Sequence, residues 1–318
     1  MKTLSVIVPC FNAEPWIEEA LNSIFSQGLS DLEVIVVDDG STDRSAQVVK
    51  QKFPSVHLIQ TANQGPSHAR NTGTQASDGR FIQYLDADDV LAEGKLRTQL
   101  EMLEKTGADV AYGDWQELEK TPTGSYAKKR LVSRQIPKEA EVALFTDFWC
   151  PPAAYLFRCS IVSAVGEWKK NLPIIQDARF VLDCALKGAR FAYCPGVMAY
   201  YRKSSQESVS KKDPKAFLRD CFVNAQEVQT WWESHGGLNK ERREALLKVY
   251  LQVTRGSFKK DPEIFEKAEM ILKKLDSNYL SQGPKRLAVA SKIFGYRGAE
   301  WMAWHYRAFK HFLSRKSS

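Results

Sequence analysis

Asp86, Asp88 and Asp89 fall within four residues at the end of the apolar run in "RFIQYLDADD". Carboxylates this close repel and raise one another's pKa unless a cation or hydrogen-bond donors hold them. Two chemistries fit the spacing. One is an acidic turn that caps the next helix; the other is a D-x-D pair offering hard oxygen ligands to Mg²⁺ or Mn²⁺. Two more apolar runs end in polar groups: "PCFN" with Pro9, Phe11 and Asn12, and "VVDDGSTD" with Asp38 and Asp39. Further side chains able to bind or catalyse are Arg70 and Asn71 in "NQGPSHARNTG", Asp177 in "LPIIQDARFVLDCALKG" and Arg202 in "YYRKSS".

The elements that must position these residues alternate in type. "LSVIVP" (4–9), "LEVIVVDD" (32–39), "VHLIQ" (56–60), "RFIQYLDADD" and "ADVAYGD" (108–114) read as strands. Between them "EPWIEEALNSIFSQ", "TDRSAQVVKQKF", "GPSHARNTGTQAS" and "GKLRTQLEMLEKTG" read as helices, the second capped by Thr42 or Asp43. Near-continuous apolar strands alternating with helices predict a doubly wound parallel sheet, whose ligands bind beyond the carboxyl ends of the strands. The aspartates lie on that edge. From about 115 to 140 the pattern weakens, and "KTPTGSYAKKR" predicts an exposed hairpin or loop. Residues 147–203 resume a mixed pattern ending in the strand-like "FAYCPGVMAYYR", and "KSSQESVSKKDP" (203–214) is a polar lid or linker. Helices follow at about 215–235, 239–256, 262–276 and 285–314. The expected domains are 1–210, α/β, and 211–318, all helical.

Composition narrows the function classes. A chain of 318 residues with 43% hydrophobic content supports a substantial core. No run approaches the roughly 18 apolar residues of a spanning helix, and "MKTLSVIVPC" lacks signal-peptide architecture, so a cytoplasmic protein is expected. Six cysteines without C-x-x-C spacing predict reduced, buried thiols. The net charge of +7 is localised: Lys285 to Ser318 holds eight Lys/Arg and one acid, Glu300, and the remainder is balanced. That distribution argues against a nucleic-acid partner. In "AEWMAWHYRAFKHFLSRK", Trp301, Trp304, His305, Ala308 and Phe312 share one helical face and Arg307, Lys310, His311 and Ser314 another. Such a helix either lies on a membrane surface, here the inner face, or docks on the core.

Five stretches in order, "SVIVPCFNAEPWIEEALNSIFSQ", "EVIVVDDGSTD", "NQGPSHARNTG", "YLDADD" and "QDARFVLDCALKGARFAYCPGVMAYYR", cover roughly residues 3–210. In them the sequence resembles the family 2 glycosyltransferases of GT-A fold. The resemblance implies a Rossmann-like, doubly wound, mostly parallel sheet followed by a helical region. It implies a metal-dependent inverting transfer of one sugar from a nucleotide-sugar, UDP-linked by preference, to a glycan or lipid-linked acceptor hydroxyl in cell-surface polysaccharide or glycolipid assembly. By the same resemblance Asp88 is the ligand of Mn²⁺ or Mg²⁺ and Asp86 contacts the nucleoside side. Asp89 either supports the ligand from behind or, by preference, caps the following turn. Asp39 accepts the base's imide N–H, Pro9, Phe11 and Asn12 wrap the nucleoside, Arg70 and Asn71 lie beside the nucleotide, and Asp177 is the base. Arg202 is expected to contact the diphosphate in place of the family's histidine. Two positions depart from the family pattern: Gln176 replaces the usual Glu, and Ser204 stands where a His is expected. These departures motivate an alternative, a degenerate nucleotide-binding scaffold of a glycan-assembly complex. A phosphatase reading of "DADDV" lacks the later acidic motif, and a dehydrogenase reading lacks G-x-G-x-x-G after the first strand.

Overall fold

Strand β1 (Lys2–Cys10) is buried continuously from Leu4 to Val8, as expected of a strand covered on both faces. The computed structural model describes residues 2–203, 213–276 and 285–316; Ser204 and most of the polar segment 203–214 lie outside the described residues. β1 pairs in parallel with β2 (Leu32–Asp38) and β4 (Gly79–Tyr84), and β2 with β3 (His57–Gln60). Pro9 sits in the strand without cost. Leu85 N–H donates to Ile7 O, so Ile7 and Pro9 face β4, which has ended by the level of Pro9, and no partner lacks the missing N–H.

The sheet has nine strands in the order β3-β2-β1-β4-β8-β6-β9-β5, with β7 paired to β6. Here β5 is Val90–Leu91, β6 Val110–Lys120, β7 Tyr126–Val132, β8 Tyr155–Arg158 and β9 Phe191–Lys203. β8 is antiparallel to both β4 and β6, and β9 is parallel to β6, so six strands share one direction and β5, β7 and β8 oppose them. The fourth strand stops at Tyr84, short of the acidic residues, which form a turn before β5. "KTPTGSYAKKR" is a hairpin: β6 and β7 meet through a turn at Thr121–Ser125 with Gly124 at φ 88°.

Helices α1 (Ile17–Phe25), α2 (Ser45–Lys52), α3 (Pro66–Gln75) and α4 (Lys95–Thr106) follow successive strands. The N-cap of α2 is Arg44 and not Thr42 or Asp43, and Asp43 Oδ1 accepts the Ser45 N–H from just outside the helix. α3 opens on Gly65 at φ 90° with Pro66 at its first position. Gly73 lets α3 lie against β1, since a Cβ there would collide with the Ile7 side chain. That close approach fixes the height of Arg70. α5 (Ala140–Thr146), α6 (Cys159–Val165) and α7 (Gln176–Leu186) complete this part, and Asp177 falls in the first turn of α7.

The chain divides into two compact units, Met1–Asp213 and Pro214–Ser318. The second contains α8 (Pro214–Ser234), α9 (Lys240–Ser257), α10 (Pro262–Leu275) and α11 (Lys285–Lys316), with Trp232, Leu246, Tyr250 and Ala268 at its core. Gly295, at φ 71°, breaks α11 into two segments. α11 docks within this unit through Ala299 and Glu300, both fully buried, with Arg255 Nε 3.1 Å from Glu300 Oε1. Ile293, Phe294, Trp301, Trp304 and Tyr306 remain exposed. The expected faces at Ala308, Phe312, Arg307, Lys310, His311 and Ser314 lie outside the described side chains. Among the described residues no helix is long and apolar enough to cross a membrane. All six cysteines are free thiols, four of them buried.

Candidate active site

The carboxyl ends of β1 and β2 form the first rim. Asn12 takes a left-handed conformation (φ 49°), its N–H donates to Ser41 Oγ, and its Oδ1 accepts the Thr42 N–H at 2.8 Å. This stitches the "PCFN" and "DDGSTD" loops together. Phe11, 49% exposed beside Asn12, is free of the core, and Pro9 is half-buried. Asp39 is buried, and its carboxylate accepts from Thr61 Oγ1 (3.1 Å), Gln64 N–H (3.0 Å) and Gly65 N–H (2.7 Å). The Gln64 N–H is shared with Oδ2 at 3.2 Å, so those contacts lock the orientation of the carboxylate and occupy both of its oxygens. Asp38 accepts the Ser41 N–H at 3.2 Å and closes the turn.

The acidic turn is held from two sides. Asp89 N–H donates to Asp86 O at 2.9 Å, closing the turn on itself. The Asp89 carboxylate is buried and accepts the backbone N–H of Arg202 at 2.9 Å, so it ties the turn to β9 and supports Asp88 from behind in place of the preferred cap on the following turn. The Arg202 side chain, only 2% exposed, donates through Nε to Asp88 O (2.7 Å) and through Nη2 to Glu19 Oε2 (2.6 Å), and packs over the Tyr126 ring at 4.1 Å. Arg202 thus lies beneath the turn and buttresses it. Burial, then the Asp86 charge, pushes the Asp88 carboxyl up to about 6, and burial with both neighbours raises Asp89 well above its usual range.

A divalent cation fits this donor set. Asp88 brings a half-buried carboxylate whose charge is disfavoured without a counter-ion, and Asp86 lies two residues away. Among the described residues no cluster of three His, Cys, Asp or Glu forms a closed metal cage. An ion held here would share one or two carboxylates with substrate phosphates, as Mg²⁺ commonly does.

Arg70 joins the acidic turn to α7. Buried at 3% side-chain exposure, it donates through Nη2 to Asp86 Oδ1 and through Nη1 to Gln176 Oε1 (2.6 Å), and its guanidinium stacks over Trp168 at 4.5 Å. Asn71 exchanges two hydrogen bonds with the Trp168 backbone and holds that ring in place. Next to Gln176, Asp177 is half-buried at the positive end of α7. Burial raises its pKa, opposed by the Trp149 indole N–H, which donates to Asp177 Oδ2 at 2.8 Å. Asp183, the other acid of α7, pairs with Arg179 at 2.9 Å. Asp86, Arg70, Gln176, Asp177 and Trp149 therefore share one edge. Trp149 and Glu19 escaped the sequence reading because neither stands in a spaced motif: one comes from the loop after α5, the other from the solvent side of α1.

A family model described as glycosyl transferase family 2 matches residues 5–164. The uncharacterized glycosyltransferase EpsJ of Bacillus subtilis is 31% identical over 261 residues, spanning 78% of this chain and 74% of EpsJ. The chain belongs to glycosyl transferase family 2. Other curated relatives are matched over half their own length or less. Two solved structures share the family 2 protein's fold. Staphylococcus aureus TarS 1-349 in complex with UDP has a TM-score of 0.59 at 21% identity, covering 96% of this chain and 92% of that one. The mannosyltransferase PcManGT of Pyrobaculum calidifontis, in complex with GDP-Man and Mn²⁺, has a TM-score of 0.51 at 19% identity, covering 94% and 85%. The family match falls within the first unit, on the residues that carry the acidic turn and Arg70.

Proposed function

We propose that residues 1–210 transfer one sugar from a nucleotide-sugar, UDP-linked by preference, to an acceptor hydroxyl with inversion at the anomeric carbon. The observation that carries this is the Arg70 bridge, which links the D-x-D turn at Asp86 to the start of α7 beside Asp177. Donor chemistry and base chemistry then meet at one place. The carboxylate of Asp39 is suited to an imide N–H, which favours uracil, one of its present contacts with Thr61, Gln64 or Gly65 yielding to the base, and Phe11 and Asn12 border the same rim. The UDP complex of the TarS neighbour supports the nucleotide, and the Mn²⁺ of the PcManGT complex supports the metal.

Asp88, with Asp86 nearby, would hold Mn²⁺ or Mg²⁺, which supplies charge neutralisation to a nucleoside diphosphate leaving group. Asp177 takes the proton of the acceptor hydroxyl as its oxygen bonds to the anomeric carbon, and the bond from that carbon to the diphosphate oxygen breaks with the electron pair leaving on the diphosphate. Asp177 as base, attacking from the face opposite the leaving group, is direct displacement. Arg70 pairs with Asp86 and ties it to Gln176, the neighbour of Asp177. Arg202 fixes the backbone of Asp88, and with its Glu19 partner released it can turn a guanidinium toward the diphosphate. The acceptor belongs to cell-surface polysaccharide or glycolipid assembly, reached from the cytoplasmic side; the exposed Trp301, Trp304 and Tyr306 of α11 support contact with the membrane surface.

The test is thermal stability of the purified chain with UDP, GDP, CDP or dTDP, each with Mn²⁺ or EDTA. A nucleotide bound to the native state raises Tm by linkage. The expected outcome is a metal-dependent shift with UDP that disappears in Asp88→Asn. Absence of a shift with every nucleotide would favour the scaffold reading motivated by Gln176 and Ser204.

A further inference from the structure

Trp149 has no part in the donor reading, yet its indole N–H is spent on Asp177. Its ring belongs to a triangle of aromatic side chains. Trp115 from β6 and Tyr201 from β9 lie 5.5 Å from it at interplanar angles of 87° and 79°, and 5.6 Å from each other at 82°. Trp115 pairs with Ala199 across the parallel β6–β9 ladder, and Tyr201 lies two residues further along, so both project from one face of the sheet. Trp115 is buried and forms the floor; Trp149 and Tyr201 are half-buried and keep aromatic surface at the edge where Asp177 lies. The other groups that act on Asp177 are the backbone N–H of Ala178, Arg70 from α3 and Asp86 from the acidic turn, and its charge in turn raises the pKa of the Tyr155 and Tyr201 hydroxyls.

We propose that Trp149 is the positioning residue for Asp177 and that, with Tyr201, it forms the platform on which a sugar ring of the acceptor stacks, so that the attacking hydroxyl belongs to a pyranose and not to a lipid phosphate. This deepens the transferase reading and rests on Asp177 as its base. The indole fixes Oδ2, and with the Ala178 backbone N–H it sets the orientation in which the carboxylate meets the acceptor's proton. A pyranose offers a flat C–H face with hydroxyls at its rim, which suits aromatic surface bordered by hydrogen-bonding groups. A phosphate on the same surface would bring its charge to Asp177, Asp86 and Asp88, three carboxylates balanced by Arg70 and Arg202.

The indole N–H resonances of the full ¹⁵N-labelled chain test both halves. Of eight tryptophans, Trp149 is assigned as the cross-peak lost in Trp149→Phe, or in Trp149→Tyr if the first variant does not fold. Asp177→Asn is expected to move that proton upfield while the other seven hold. In UDP and Mg²⁺, millimolar methyl glycosides of glucose, galactose or N-acetylglucosamine are then titrated against decyl phosphate. At least one glycoside is expected to shift the Trp149 and not the Trp232 resonance, and decyl phosphate to shift neither. A Trp149 resonance indifferent to Asp177→Asn overturns the positioning role. Silence to every glycoside, or a shift with decyl phosphate alone, overturns the platform. The first comparison needs no nucleotide, so loss of the UDP shift in the thermal experiment would overturn the donor reading and leave the Trp149–Asp177 result standing.

Discussion

Asp88 and Asp177 are both held in states that the fold disfavours. A carboxyl whose native pKa lies above its unfolded value stabilises the fold fully below the unfolded pKa and loses that contribution as pH rises through the native one. For Asp88 the window runs from the ordinary 3.8 to about 6. In EDTA, Asp88→Asn should therefore raise Tm at pH 7 relative to wild type, and the gain should vanish near pH 4; parallel melts at the two pH values check it. Saturating Mn²⁺ should stabilise wild type alone. Asp177→Asn should likewise raise Tm at neutral pH, because burial is the main cause of its shift, while lowering turnover by roughly 100- to 10,000-fold, the usual loss on removing a general base. Stability gained where activity is lost marks a residue kept for chemistry. A fall in Tm in both variants would mean that these carboxylates serve the fold.

The elements below the site are pinned by a buried lysine. Lys95, in the first turn of α4, is 1% exposed; its Nζ donates to Gln83 Oε1 on β4 and to Tyr155 O on β8 at 2.8 Å. Helix and two strands are thus joined at one atom, directly behind the acidic turn that follows β4. Burial lowers the Lys95 pKa well below its usual range. Over the interval between that value and about 10.4 the unfolded chain carries the extra proton, so this group's contribution to stability rises with pH. Lys95→Met removes the titration and strands two acceptors, at a cost of about 1–3 kcal/mol for such groups. The urea midpoint of wild type minus that of Lys95→Met should therefore be larger at pH 9 than at pH 7. Equal differences at both would mean that Lys95 stays protonated in the native state.

At the scale of the whole molecule, charge and exposed aromatic surface gather in the helical unit. Residues 285–318 carry the chain's whole net charge of +7, and α11 exposes Trp301, Trp304 and Tyr306 while burying Ala299 and Glu300. A membrane-surface element attracts anionic lipid electrostatically, and that attraction fades as the Debye length falls from about 10 Å at 0.1 M salt to about 3 Å at 1 M. The chain should co-sediment with phosphatidylserine vesicles at 0.1 M salt, less at 1 M, and less again with Trp301→Ser and Trp304→Ser together. Binding that ignores both salt and the tryptophans would remove the membrane from the proposal.

Much of this architecture was legible in the sequence because its signals are local. Apolar runs such as "LSVIVP" and "LEVIVVDD" can be buried only as strands, and the helices between them repeat at helical spacing, so the α/β order and the helical end followed from periodicity alone. The placement of Asp39, Asp86 and Asp88 at strand ends followed from the same order. What periodicity cannot carry is contact between distant segments. That Asp89 ties the acidic turn to β9, that Arg202 lies beneath it against Glu19, and that Gln176 takes a hydrogen bond from Arg70 all depend on pairings 106 to 183 residues apart in the chain. Trp149 belongs with these: it stands in the loop after α5, outside any helix or strand, and meets the first turn of α7 at Asp177 only in the folded chain. Spacing determined which residues reach the edge of the sheet; only the closing of β6, β8 and β9 onto the parallel strands decided which of them touch.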